Sequence, residues 1–297
     1  MFVIIGLVVV ALSILLGFTM EGGKVGALIQ ITEFIIIGGA GLGSVLIANP
    51  LSVVMKTFKS VLGLLKGNPY TRDRYIELLR MLYDMFMLAR REGLVTLDQH
   101  VEKPHESKFF ANYPFFFAHH HALDFLADTM KVVVTGTVTD YNLSEMMEID
   151  LEVGHEESLL PSQVVSKLGD SMPGFGIVAA VLGVVITMGA IGGPPEEIGH
   201  KVAAALVGTF LGILMAYGVF NPIAAALEAQ VRAEGQYMAC LKYAVLSFSR
   251  GDAPLTAVEF ARRNIEPDMR PSFAQMEEAL KNPGGAATAG EAHAKAA

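Results

Sequence analysis

The chain has 297 residues, 52% of them hydrophobic and only 18% charged, and its formal net charge is −8. Soluble domains carry about 25% charged residues, so the composition excludes an ordinary water-soluble globule. The acidic balance without a basic stripe excludes a nucleic-acid binder. The single cysteine, Cys240, excludes an internal disulfide and a cysteine-based metal motif, and no cofactor is expected.

The missing charges are concentrated in four uncharged runs, Met1–Met20, Phe34–Met55, Ser171–Pro195 and Val202–Leu227. Each has the roughly 20 residues that cross a hydrocarbon core of about 30 Å. The expected fold is therefore all-α, a polytopic membrane protein with four transmembrane helices. The first run lacks a basic leading segment, and no small-x-small cleavage site precedes Glu21, so it reads as a span rather than a signal peptide. Spans one and two make a hairpin at residues 1–55 around a short loop, Glu21–Glu33. The stretch LSVVMKTFKSVLGLLK, residues 51–66, places Lys56, Lys59 and Lys66 on one side of a helix. Such a helix suits the inner membrane surface.

Residues 56–161 read as a small helical cytoplasmic domain. TRDRYIELLRMLYDMFMLARREG repeats apolar residues at helical spacing and stops at Gly93, a C′ glycine. A further helix is expected around Phe115–Met130, and SEMMEIDLEVGHEES reads as an acidic helix with a solvated face. The next helix is expected to start near Ser162, just after Pro161, and to run straight into the third span. The fourth span keeps helical character to Gly251, so residues 162–250 read as two long helices that project into the cytoplasm. Residues 251–297 form a tail whose end, NPGGAATAGEAHAKAA, has the composition of a disordered segment.

Lysine and arginine set the orientation. Twelve lie in residues 56–170, eight lie after Leu227, and the two short loops hold one each, Lys24 and Lys201. The positive-inside rule puts the large loop, the tail and both termini in the cytoplasm.

No Asp, Glu, Lys, Arg or His lies within any of the four runs. Proton-moving spans usually hold a carboxylate that takes up and releases the ion, so an ion path here needs an acid from a partner. What the spans offer is milder: Thr187, Thr209, Tyr217 and Asn221. The bland reading of each hydroxyl is a bond to its own helix carbonyl. Pro173 cannot donate to the carbonyl of Gly169, and Pro222 cannot donate to that of Gly218. Each kinks its helix and frees an acceptor near the cytoplasmic end of a span, either for packing alone or as a polar hinge beside an ion path. Gly39/Gly43 and Gly208/Gly212 have the four-residue spacing that lets helices approach closely in lipid. His119, His120 and His121 point about 100° apart on a helix, so they read as surface or interface residues rather than one metal site. Arg90, Arg91 and Asp98 flank Gly93 as a charged, solvated face.

The blocks IIGLVVVALSILLGFTMEGG, FFANYPFFFAHHHALDF, DSMPGFGIVAAVLGVV and VGTFLGILMAYGVFNPIA, in that order, resemble the MotA family of flagellar motor stator proteins, grouped with TolQ and ExbB. The resemblance covers nearly the whole chain apart from its last residues. It implies an ion-conducting, torque-generating subunit and not an enzyme. It also implies a ring of five copies in the bacterial inner membrane around a MotB-type single-span partner. That partner supplies the ion-binding aspartate and anchors to peptidoglycan, and the ring drives the rotor protein FliG. Pro173 and Pro222 match the two prolines that the family couples to conduction. Thr209 and Tyr217 match polar positions around the partner's aspartate. Arg90 matches a basic rotor contact, and Asp98 stands where many relatives have glutamate, one methylene longer. Sodium-driven relatives carry a threonine where this chain has Ala180, so the resemblance favours protons. The alternative is a TolQ/ExbB-type energy transducer. Those chains usually have three spans with the first isolated, and the hairpin before the large loop argues against it.

Overall fold

A computed structural model describes residues 2–189 and 191–281. The segment expected to be disordered lies outside the described residues. Among those residues there are twelve α-helices, short 3-10 turns and one π-helical stretch, and no strand. They form two compact units, Met1–Gly67 with Glu157–Val231 and Asn68–Glu156 with Arg232–Ala297.

The first unit contains α1 (Phe2–Met20), α2 (Ile31–Ala48) and α3 (Leu51–Gly63). It also contains the second part of α8 (Asp140–Met188), all of α9 (Pro195–Leu214) and the start of α10 (Asn221–Ser249). A π-helical stretch, Met215–Phe220, joins α9 to α10. Four helical segments are long and apolar enough to cross a membrane, at Phe2–Met20, Val25–Ala48 and within Asp140–Met188 and Pro195–Ser249. The second apolar run does not continue as one helix to Met55. α2 ends at Ala48, where the Asn49 N–H closes onto the Val45 carbonyl, and Pro50 leads into α3. α2 also begins earlier than the run, so Glu33 belongs to its first turn and not to the loop.

The third span differs more. α8 starts at Asp140 rather than near Ser162, and the acidic segment and the span are one 49-residue helix with Pro161 and Pro173 inside it. Pro161 lacks the N–H that would bond to the Glu157 carbonyl. Lys56 of α3 supplies a donor instead. Its Nζ donates to the Glu157 backbone oxygen at 3.4 Å and to Glu157 Oε1 at 2.7 Å. That contact satisfies the orphaned carbonyl and lets the helix run through the proline.

The second unit is built around α4 (Arg72–Glu92), α5 (Asp98–Val101), α6 (Pro114–Ala118), α7 (His120–Thr135), α11 (Pro254–Asn264) and α12 (Phe273–Lys281), with the outer parts of α8 and α10. The helical spacing in α4 buries Leu78, Leu82, Met85 and Phe86 on one face, against which α11 and α12 pack. Phe86 stacks on Phe248 with centroids 4.3 Å apart. Burying such a ring contributes about 1.5–3 kcal/mol. Gly93 ends α4 at φ 93°, a positive value that glycine adopts readily, as the C-cap rather than in the left-handed helical conformation of a C′ glycine. The helix expected at Phe115–Met130 is two helices, α6 and α7, broken at His119. Glu77 Oε1 accepts from the N–H groups of Phe115 (2.8 Å) and Phe116 (3.2 Å), which fixes the start of α6.

The histidine triplet divides. His120 is exposed, but the His119 side chain is only 16% exposed and caps α7, its Nδ1 accepting from the Ala122 N–H at 3.2 Å. With Nδ1 an acceptor, the neutral ring carries its proton on Nε2, which faces the Tyr70 hydroxyl at 2.7 Å. Burial holds His119 below the ordinary histidine value, against an opposing pull from Glu234. The unfolded chain therefore takes up this proton first as pH falls. Stability from His119 is complete above about pH 6.5 and drains away below it, down to the lowered folded value. Protonation also turns Nδ1 into a donor and breaks the cap. Thermal melts of the purified chain should show a midpoint that falls as pH drops below about 6.5. His119→Asn, a capping residue without a charge to gain, should flatten that dependence and keep the cap, worth about 1 kcal/mol. An unchanged pH profile in the variant would contradict the assignment.

Candidate functional site

In the membrane unit the site starts from a backbone contact. A Cβ on Gly176 of α8 would lie 2.8 Å from the Gly208 carbonyl oxygen and 3.1 Å from Gly212 Cα of α9. One on Gly212 would lie 2.6 Å from the Met172 carbonyl oxygen, and one on Gly183 would meet Ala205 Cβ at 2.7 Å. Glycine at these positions lets α8 and α9 touch main chain to main chain. The Gly208/Gly212 expectation holds within the chain. Gly39 and Gly43 have open space instead, and α2 packs through Gly41, where a Cβ would strike Met172 Cε at 2.4 Å.

Three of the candidate residues lie along this seam. Thr209 is half-buried, with its Cα 3.3 Å from where a Gly176 Cβ would be. Ala180 is half-buried too, its backbone N 3.3 Å from where a Gly208 Cβ would be. Pro173, one residue beyond Met172, is half-buried. Thr187 follows the bland reading, its hydroxyl donating to the Gly183 carbonyl at 2.8 Å.

Near the end of the seam, α8 meets the start of α10. Asn221 Oδ1 is buried without a hydrogen-bond partner and fills the space over Gly169, where a Cβ would come within 2.0 Å of it. Asn221 Nδ2 donates to Asp170 Oδ1 at 3.3 Å. Gly169 is the residue whose carbonyl Pro173 leaves without its helical donor, and Asn221 directly precedes Pro222. The two prolines are thus brought to one level, about a helical turn from the Asp170–Asn221 bond. Pro222 is exposed and follows the π-helical stretch. Wide turns of this kind are rare and occur mostly as single-turn bulges inside α-helices, frequently at functional sites. Tyr217, within that stretch, is 67% exposed and stands apart from the seam.

Two groups at this site were not legible as members of it. Glu33 is 5% exposed, and its Oε2 has no hydrogen-bond partner. A Cβ on Gly208 would lie 2.6 Å from that oxygen. The residue stands one position outside the apolar run, so only the early start of α2 reveals it. Asp170 also bounds a run, and its bond to Asn221 spans 51 residues.

In the second unit Arg90 lies in the last turn of α4 and Asp98 begins α5. Both are exposed, and among the described residues neither forms an ion pair or a side-chain hydrogen bond. The structure does not pair them with each other. Arg90 lines a cavity of about 430 Å³ with Leu94, Val132, Phe248, Asp140 and Asp252, while Asp98 does not.

Glycine-seamed apolar helices with prolines and small hydroxyls at the seam define a class, that of polytopic helical membrane channels and energy transducers. Family models agree. Residues 4–93 match the motility protein A N-terminal model, and residues 118–239 match the MotA/TolQ/ExbB proton channel family. Motility protein A of Salmonella typhimurium is 37% identical over 295 residues, covering 98% of this chain and 100% of the relative. The chain belongs to the motility protein A family. Two solved structures share its fold. The structure of Campylobacter jejuni MotAB has a TM-score of 0.74 at 21% identity, covering 91% of this chain and 98% of that one. The flagellar MotAB stator complex from Bacillus subtilis has a TM-score of 0.71 at 23% identity, covering 93% and 98%.

Proposed function

We propose that this chain is the membrane-embedded stator subunit of a bacterial flagellar motor. It conducts protons together with a MotB-type single-span, peptidoglycan-anchored partner and drives the rotor protein FliG. The observation that carries this reading is the convergence of Pro173, Pro222, Asp170 and Asn221 at one level of a glycine-seamed bundle, in a chain of the motility protein A family. The reading is of a transducer, with no chemical conversion assigned to it.

In this mechanism the partner's aspartate takes up a proton beside Thr209, the polar position that lies at the seam. Losing that charge weakens its hold on the polar groups around it, and the helices relax at Pro173 and Pro222, where the ladder already lacks a bond. Ala180 offers no hydroxyl to a dehydrated sodium ion, which supports protons as the coupling ion. The inner membrane is the site, with both termini and residues 56–170 in the cytoplasm, supported by the twelve lysines and arginines of that segment. A ring of five copies fits the exposed apolar side chains on α8 and α9, such as Ile186 (64% exposed) and Leu206 (66%). Neighbouring copies and lipid would cover them. Arg90 and Asp98, exposed and without ion pairs, are available to a charged rotor surface. The TolQ/ExbB-type reading is disfavoured by the α1/α2 hairpin and by the match of residues 4–93 to the motility protein A N-terminal model.

Pro173→Ala and Pro222→Ala each restore a backbone donor. Both variants should reach the membrane and co-purify with the partner at the wild-type ratio, yet abolish swimming in a soft-agar assay of complemented cells. Full swimming by both would remove the hinge from the mechanism. Charge reversal at Arg90 should lower torque in a tethered-cell assay, by an amount that shrinks as ionic strength screens the contact. A compensating reversal on the rotor protein should recover part of it. Undiminished torque in Arg90→Glu, alone and combined with Asp98→Lys, would rule out the contact.

A further inference from the structure

The mechanism above borrows its acid from the partner, yet the membrane bundle holds a carboxyl of its own. Glu33 lies in the first turn of α2, inside the span Val25–Ala48, and is 5% exposed. Its Oε2 has no hydrogen-bond partner. An ionisable group buried in a membrane bundle is expensive unless something compensates it, and such groups mark ion pathways.

The surroundings are specific. Oε2 faces Gly208, where any side chain would intrude to about 2.6 Å. The same point is bounded by Ala179 Cβ at 3.1 Å and the Ala180 backbone N at 3.3 Å. Gly208 therefore has two tasks, closing the seam to α8 and keeping room for the carboxyl. Thr209 is the next residue. The acid thus sits over Gly208, the seam position that also approaches the Ala180 backbone of α8. Among the described residues no ion pair joins Glu33 to a cation. Lys201 of α9 pairs with Glu197 at 2.9 Å; Glu196 and His200 are the other charged or titratable groups of α9, and Glu21 and Lys24 those of the loop before α2. α8 has none from Ser171 to Met188.

We propose that Glu33 is a proton-binding residue of the conduction path, contributed by this chain and held open by Gly208. One free oxygen among alanine and glycine walls suits a proton. A dehydrated metal ion needs several oxygen ligands. The assignment rests on the reading of the chain as a proton-conducting subunit.

The test uses the full chain reconstituted with its single-span partner in vesicles under an imposed proton gradient, read as internal acidification. Glu33→Gln should assemble with the partner and lower the flux by roughly a hundredfold or more, the scale of losing a positioned proton-transfer group. Glu33→Asp keeps a carboxyl and should recover most of that loss. Wild-type flux in Glu33→Gln overturns the proposal, as does equal loss in both variants with assembly intact. If Glu33→Gln fails to assemble, infrared difference spectra of the wild type and Glu33→Asp decide. A protonated-carboxyl band that responds to the gradient and shifts in Glu33→Asp supports the proposal, and a band unchanged by the substitution overturns it. No acidification by the wild-type complex sinks the functional reading itself, and this assignment with it.

Discussion

The main-chain contact between α8 and α9 at Gly176, Gly208 and Gly212 is the constraint on which the membrane unit depends. Lipid offers no hydrophobic drive for helices to associate, so close packing has to do that work. A side chain at Gly176 or Gly212 would meet backbone at 2.6–2.8 Å, distances that force helices apart, and one at Gly208 would displace the Glu33 carboxyl. The seam brings Thr209 beside Gly176 and sets Ala180 opposite Gly208. It leaves the slot that Glu33 occupies. It also fixes the height at which α8 meets α10, and so the level of the two prolines.

Against that rigid seam the prolines are the weak points. Pro161 and Pro173 sit in the same helix and lack the same donor, but they are not equivalent. Lys56 gives the carbonyl that Pro161 abandons a donor at 3.4 Å. At Pro173 the neighbour is Asn221, which bonds Asp170 and leaves its own Oδ1 unpaired. A polar group without a partner, a proline and a π-helical stretch at one level are what a hinge between two states would use. The second unit behaves in the opposite way. Its core is closed by fully buried aromatic and aliphatic side chains such as Phe86, Phe110, Phe116 and Leu82, a rigid carrier for the charges at Arg90 and Asp98.

Much of this was legible in the sequence, and the parts that were not share a cause. The four spans follow from charge-free runs, because burying a charge in lipid is costly wherever it falls. The end of α4 at Gly93 and the exposure of Arg90 and Asp98 follow from local rules. Spacing showed that Gly208/Gly212 could make a groove, but the identical spacing of Gly39/Gly43 leaves a groove that nothing else among the described residues fills. What fills a groove is a property of another helix. The start of α8 has the same cause: Pro161 looks like a helix start until Lys56, 101 residues before Glu157, is seen to donate to the carbonyl that the proline frees. Glu33 stood outside an apolar run by one residue, and only the position of the α2 N-terminus draws it into the bundle. The capping role of His119 is hidden from helical periodicity because it depends on the break between α6 and α7.

The central claim is that this chain provides a seamed, hinged path but not the whole of the acid chemistry, which needs the partner's aspartate. The most direct measurement is proton uptake by vesicles containing this chain alone, a MotB-type partner alone, and both together. The account predicts uptake only when both are present, and its loss when the partner's aspartate is changed to asparagine. Sustained uptake by this chain alone, or by the pair without that carboxyl, would contradict it.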